Sequence, residues 1–86
     1  MWTIKFTKRA LQDKKLLKQS KLDIKTKKIL NVMAVDPFVV PPPYETLVRD
    51  LAGYYSRRIN IKHRIVYKVY EELKTIVIHS MWSHYE

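Results

Sequence analysis

The residues whose types and spacing could do chemistry lie in the second half of the chain. They occur in the run Gly53-Tyr54-Tyr55-Ser56-Arg57-Arg58-Ile59, in His63-Arg64-Ile65-Val66-Tyr67, in Glu45 ahead of both, and in His84-Tyr85. Arginine suits phosphate because its planar fork bonds two oxygens at once and stays charged. Histidine, with an unperturbed pKa near 6.5, can donate a proton to a leaving oxygen near neutral pH, and a carboxylate can accept one from a nucleophile. Arginines, a histidine and a carboxylate are together the parts needed to break a phosphodiester without a metal.

These residues must be held by a scaffold, and periodicity outlines it. Trp2, Ile4 and Phe6 alternate with Thr3 and Lys5, as in a half-buried strand. Thr7 is placed to cap a helix carrying Ala10 and Leu17 on one face. Leu22, Thr26, Ile29, Leu30 and Met33 then recur at helical spacing. The expectation is two helices, or one bent helix, over about 7–34, ended by Asp36-Pro37 because proline disfavours helical geometry in the residue before it. Pro41-Pro42-Pro43 reads as an extended, stiff loop that positions the segment after it; a ligand for a proline-binding domain is the other reading. Three further strands are expected at about 54–59, 64–70 and 75–82, joined by short connections and hence antiparallel neighbours. The order strand–helix–helix–strand–strand–strand gives an α+β fold in one domain over 1–86: a small, mostly antiparallel sheet with two N-terminal helices packed on one side. The other sheet face is then free to hold a site.

Along such strands Arg57 and Arg58 point to opposite faces, so at most one of them meets a given ligand. Arg58 alternates with Tyr54 and Ser56, and Arg57 with Tyr55 and Ile59. Glu45 comes after the proline run, whose stiff backbone would aim its carboxylate. His63, in an expected turn, and His79, within an expected strand, are weaker acid–base candidates than His84. The three histidines lack a local spacing that suggests zinc, so no metal site and no cofactor are expected. The chain's one glycine rules out a glycine-rich phosphate loop, and no nucleophilic serine arrangement is visible.

Composition agrees with an anionic substrate. The chain has 86 residues and a formal net charge of +9, and 47% of its residues are hydrophobic. Residues 1–30 hold ten Lys/Arg and two Asp, an excess of +8, against +1 for the remainder. A segment that basic favours a phosphate backbone or an acidic protein, although a solvated helix face has the same composition. There is no cysteine, which removes disulfides and thiolate metal sites and fits a reducing, cytoplasmic setting. No signal-peptide pattern opens the chain, and no apolar run approaches the roughly 20 residues of a membrane helix, so no membrane role is expected.

The pattern Pro-x-Glu-x-Leu…Leu-x-Gly-x-x-Ser-Arg-Arg-Ile…His-Arg-x-Val-Tyr…His-Tyr resembles the Txe/YoeB toxins of bacterial toxin–antitoxin systems, within the RelE superfamily. It is carried by Pro43, Glu45, Leu47, Leu51, Gly53, Ser56, Arg57, Arg58, Ile59, His63, Arg64, Val66, Tyr67, His84 and Tyr85. The resemblance implies a RelE-like fold and a metal-independent endoribonuclease that cuts mRNA in the ribosomal A site. It implies as partners mRNA, the ribosome with its RNA, and a cognate antitoxin of the YefM/Phd-like kind, and it allows a homodimer. It assigns catalysis to Glu45, Arg64, His84 and Tyr85, with Arg58 on the phosphate. The loop departs from the family's usual Gly-Lys-Pro-Glu-Pro-Leu-Lys: Pro41-Pro42-Pro43-Tyr44-Glu45-Thr46-Leu47-Val48 lacks the glycine and both lysines. Arg49 is the candidate to replace those lysines, Tyr44 is an added aromatic expected to contact substrate, and Glu86 extends past the usual final tyrosine. Two other readings share the expected properties: a ParE-like toxin acting on DNA gyrase, and a noncatalytic RNA- or protein-binding module.

Overall fold

In the computed structural model, which describes residues 1–82, Thr3–Phe6 forms strand β1 and Thr7 turns the chain into helix α1, Lys8–Gln19. The Thr7 hydroxyl accepts the Ala10 N–H at 3.1 Å, the bond its type and position lead one to expect. It also donates to the His79 carbonyl at 2.8 Å, which ties the helix start to the far end of the chain. Helix α2, Asp23–Val35, comes after a turn in which Lys21 takes a left-handed φ of 60°. It ends at Asp36-Pro37 as expected, with Asp36 extended. Residues 40–42 bend rather than continue in the extended polyproline form expected for them.

The second half is β2 (Tyr44–Thr46), a single helical turn over Arg49–Leu51, β3 (Tyr55–Arg58), β4 (Arg64–Tyr70), a second such turn over Glu71–Leu73, and β5 (Thr75–Ser80). The sheet order is β1-β5-β4-β3-β2, antiparallel except for the parallel pair β1–β5. This is the expected α+β architecture with one strand more. The three-residue β2, within the segment read as loop, pairs antiparallel to β3 with Glu45 opposite Ser56. Only its alignment with β3 makes β2 a strand.

The register divides the sheet into two faces. Ile65, Tyr67, Ile76 and Ile78 are fully buried and pack with Ala10, Leu17, Ile29 and Met33 of the helices. Burying side chains of this size contributes roughly 1.5–3 kcal/mol each relative to exposure, before chain entropy is counted. The other face, the more open side, carries the exposed Glu45 and Arg58 and the half-buried Arg64, with Ser56 and Val66 buried at its middle. One charged group is drawn to the helix side: Asp13 of α1 is 6% exposed and accepts the Met81 N–H at 3.0 Å. That bond holds the chain just after β5 against α1, and Arg9 lies 3.9 Å from the same carboxylate.

Candidate functional site

The open face brings three separated residues together because of strand pairing. Arg58 and Arg64 are directly opposite across β3–β4, and Glu45 enters from β2 beside Ser56. Arg64 donates from Nη1 to the Glu45 Oε1 at 3.1 Å, an ion pair whose glutamate side chain remains 61% exposed. Arg58 is exposed; its Nη1 donates at 3.3 Å to the carbonyl of Ile61 in the hairpin turn. Two like charges placed opposite each other on a sheet repel unless an anion sits between them. Glu45 neutralises only one of the two, so the pair is arranged to accept a further negative group. In the cross-strand geometry the side chains start about 5 Å apart, a span one phosphate can bridge.

Glu45 and Arg64 also line a cleft of about 540 Å³ with Arg49, Thr46 and Asp50. Arg49 is exposed and sits at a φ of 60°. The left-handed conformation costs a side-chain-bearing residue roughly 1–2 kcal/mol, so the surrounding turn imposes it. The turn closes through Leu51 N–H to the Val48 carbonyl and Ala52 N–H to the Arg49 carbonyl. It leads to Gly53, whose φ of 93° a residue with a Cβ would seldom adopt. Thr46 and Asp50 carried no signal in the sequence, since 45–50 has no periodicity that separates lining side chains from outward ones. Another cleft, of about 580 Å³, lies on the helix side between α1, α2 and β1; its lining includes Leu17, Leu30 and Met81 and no arginine.

Tyr44 does not join this group. Its position in β2 places it opposite Arg57, with its ring against the Arg57 guanidinium and packed with Phe38 and Tyr55. Strand alternation puts it on the side of β2 opposite Glu45, since neighbours in a strand face opposite ways. Arg57, on that same inner face, is 1% exposed. Its Nε donates to the Tyr67 hydroxyl at 3.1 Å, Nη2 to the Pro37 carbonyl at 2.9 Å, and Nη1 to the Pro42 carbonyl. It fastens the 37–42 loop to the sheet, and that loop leads into Glu45. Burial pushes the Tyr67 phenol above its ordinary range, an effect the adjacent Arg57 charge opposes.

His84 and Tyr85 lie outside the described residues. The chain reaches them through Trp82, whose ring stacks on His63 at 4.0 Å, and His63 immediately precedes Arg64. His63 is 4% exposed and is thus a packed residue next to the site. His79 lies on the open face, its ring edge-on to Tyr54 at 5.5 Å. Among the described residues no group of three or more His, Asp or Glu side chains could hold a metal ion.

Residues 6–85 match the model of the YoeB-like toxin of bacterial type II toxin-antitoxin systems. The chain is 42% identical over 74 residues to a toxin YoeB of Synechocystis, a match covering 86% of this chain and 77% of that one. Among solved structures it is similar to a YoeB/ParE toxin from Agrobacterium tumefaciens, with a TM-score of 0.87, 26% identity and coverage of 96% and 99% of the two chains. It is also similar to the toxin in a YoeB-YefM complex from Staphylococcus aureus, with a TM-score of 0.82, 34% identity and 99% of each chain covered.

Proposed function

Because the chain belongs to the YoeB-like toxin family of bacterial type II toxin–antitoxin systems, we propose that it is an endoribonuclease that halts translation by cutting mRNA in the ribosomal A site. The observation that carries this reading is the open-face group: a solvent-facing carboxylate held by one arginine, with a second arginine opposite the first.

RNA brings its own nucleophile, the 2′-hydroxyl. Glu45 takes its proton as the 2′-oxygen attacks phosphorus. Arg64 and Arg58 bond the non-bridging oxygens as negative charge builds on them, and such preorganised donors are worth the most in the transition state. The bond from phosphorus to the 5′-oxygen breaks, and His84 gives that oxygen a proton. Tyr85 orients the phosphate or stacks on a base, and Arg49 lends positive charge at the edge of the cleft. The products are a 2′,3′-cyclic phosphate and a 5′-hydroxyl end. No step calls for a metal ion or cofactor.

The natural partners on this reading are mRNA, the ribosome and an antitoxin of the YefM kind, since a similar toxin from Staphylococcus aureus is found with YefM and also as a dimer. A homodimer of this chain is proposed on the same ground, and action in the cytoplasm, where ribosomes are, goes with it. The whole chain is read as one toxin domain.

The test is cleavage of a defined mRNA on purified ribosomes, with His84→Ala as control. Cleavage that persists in excess chelator, with ribosome integrity checked, and that His84→Ala loses is the expected result. Full cleavage by His84→Ala, or activity lost to chelator and restored by Mg²⁺ with intact ribosomes, overturns the mechanism. Inhibition of gyrase supercoiling without RNA cleavage would assign the chain to the ParE-like activity instead.

A further inference from the structure

The open face does not end at the arginines. Beyond Ser56 and Val66, which are buried at its middle, it carries Tyr54 just ahead of β3 and Lys68 and Tyr70 of β4, with His79 of β5 beside them. Lys68 is the centre of this group: its ammonium stands 5.5 Å from the Tyr54 ring and 5.4 Å from the Tyr70 ring. His79 meets Tyr54 edge to face at 5.5 Å. The β4–β5 ladder shifts between Val66–Ser80 and Tyr67–Ile78, which leaves His79 without a register partner and turns the strand locally. Tyr70 is 39% exposed, and Tyr54, Lys68 and His79 are half-buried. None of the four side chains has a hydrogen bond or ion pair to another described residue.

We propose that Tyr54, Lys68 and Tyr70 form a stacking strip for single-stranded RNA that continues from the phosphate site at Arg58 and Arg64. The proposal rests on the ribonuclease reading. Aromatic faces held beside a positive charge on an open sheet bind bases without sequence preference, because every base has a π-face and every nucleotide a phosphate. Lys68 lies four residues beyond Arg64 on the same strand and the same face, about 13 Å away. A stacked strand covers that distance in about four nucleotides at 3.4 Å each. The strip thus serves bases a few nucleotides to one side of the scissile bond, with His79 fixing the tilt of the Tyr54 ring. These are binding residues, not catalytic ones.

The test uses the Glu45→Gln protein, so that RNA persists, and a labelled, unstructured oligoribonucleotide followed by fluorescence anisotropy. Tyr54→Ala and Tyr70→Ala should each weaken binding by about tenfold, the lower end of what one stacked base contributes. Tyr54→Phe and Tyr70→Phe should bind like the parent, since the ring and not the hydroxyl stacks. Lys68→Gln should weaken binding and flatten its salt dependence by about one unit of slope. Unchanged affinity in alanine variants that melt with the parent overturns the strip. If an alanine variant does not fold, crosslinking of thiouridine-containing RNA to the Glu45→Gln protein decides: crosslinks at Tyr54 or Tyr70 support the strip, and crosslinks confined to other surfaces overturn it. Ribosomal cleavage by the unaltered chain tests the ribonuclease reading separately. Cleavage together with unchanged oligonucleotide affinity removes the strip and keeps the ribonuclease; neither binding nor cleavage removes both. Alanine variants that lose self-association or antitoxin binding at unchanged RNA affinity assign the face to a protein and also overturn the proposal.

Discussion

Two neighbouring arginines in one strand have opposite fates. Arg58 faces solvent and one carbonyl, whereas Arg57 is enclosed by a phenol and two loop carbonyls. From alternation alone Arg57 would be expected to tolerate alanine better than Arg58; its burial changes what that substitution measures. Arg57→Ala removes a donor from the buried Tyr67 hydroxyl and Pro37 carbonyl and from the part-buried Pro42 carbonyl, while the Tyr67 hydroxyl still donates to Pro37. Thermal unfolding should show a loss of about 1–3 kcal/mol, the cost of a buried polar group left short of a partner. Arg58→Ala should leave the melting temperature nearly unchanged and lower single-turnover cleavage. Glu45→Ala, Arg64→Ala and His84→Ala should each lower cleavage by roughly a hundredfold or more, with stability changed by less than ~1 kcal/mol. Near-wild-type cleavage by any of the three would remove that residue from the mechanism. Tyr67 supplies a pH signature on the inner face. Its phenol is held above 10.0 by burial, so the folded chain keeps the proton when the unfolded chain begins to lose it. The unfolded state then binds fewer protons, and stability falls as pH rises above about 10. Denaturant unfolding at pH values on either side of about 10 should show this fall in the parent and a smaller one in Tyr67→Phe.

At the scale of elements, the decisive contacts are those that join distant parts of the chain. Thr7 caps α1 and reaches the β5 backbone 72 residues away. Thr7→Ala should therefore cost more than the ~1 kcal/mol typical of a lost cap, because a bond to the His79 carbonyl goes with it. Chemical denaturation of that variant measures the sum, and a loss well below ~1 kcal/mol would show that water replaces both bonds. β2 illustrates the same dependence. Three residues cannot be a strand alone; β2 exists because Tyr44, Glu45 and Thr46 align with Arg57, Ser56 and Tyr55, and because Arg57 pins the preceding loop. The stiff loop expected ahead of Glu45 thus acts through a buried guanidinium as well as through its prolines.

The whole molecule has two chemically distinct sides. Lys14, Lys15, Lys18, Lys25, Lys27 and Lys28 are exposed on the two helices, on the far side of the sheet from Glu45 and Arg64. None of them lines the cleft, and their reach to a partner is electrostatic. Reversing the charge of several should weaken ribosome or antitoxin binding, most clearly at low salt, while cooperative unfolding is kept. Unchanged affinity for both partners across a salt titration would leave these lysines as a solvated face and nothing more.

Much of this was legible in order and type. Alternation at 2–6, the Thr7 cap, the helical spacing to Met33 and the stop at Asp36-Pro37 are local effects, decided within a few residues, and each is found in the fold. Candidate residues for the proposed chemistry could be named from the sequence because few residue types can hold a phosphate or move protons near neutral pH. That Arg57 and Arg58 face opposite ways is true of any strand. Which of them is buried is not, because that depends on the sheet face the helices cover. The inward packing of Tyr44 depends on the same choice of face, and the burial of Asp13 needed the Met81 N–H, 68 residues away, to give its carboxylate a partner. The pairing of Arg64 with Glu45, the opposition of Arg58 to Arg64 and the row of Tyr54, Lys68 and Tyr70 are products of register. Register is settled by burying one whole face at once, since a slip of one residue would send every side chain of a strand to the other side.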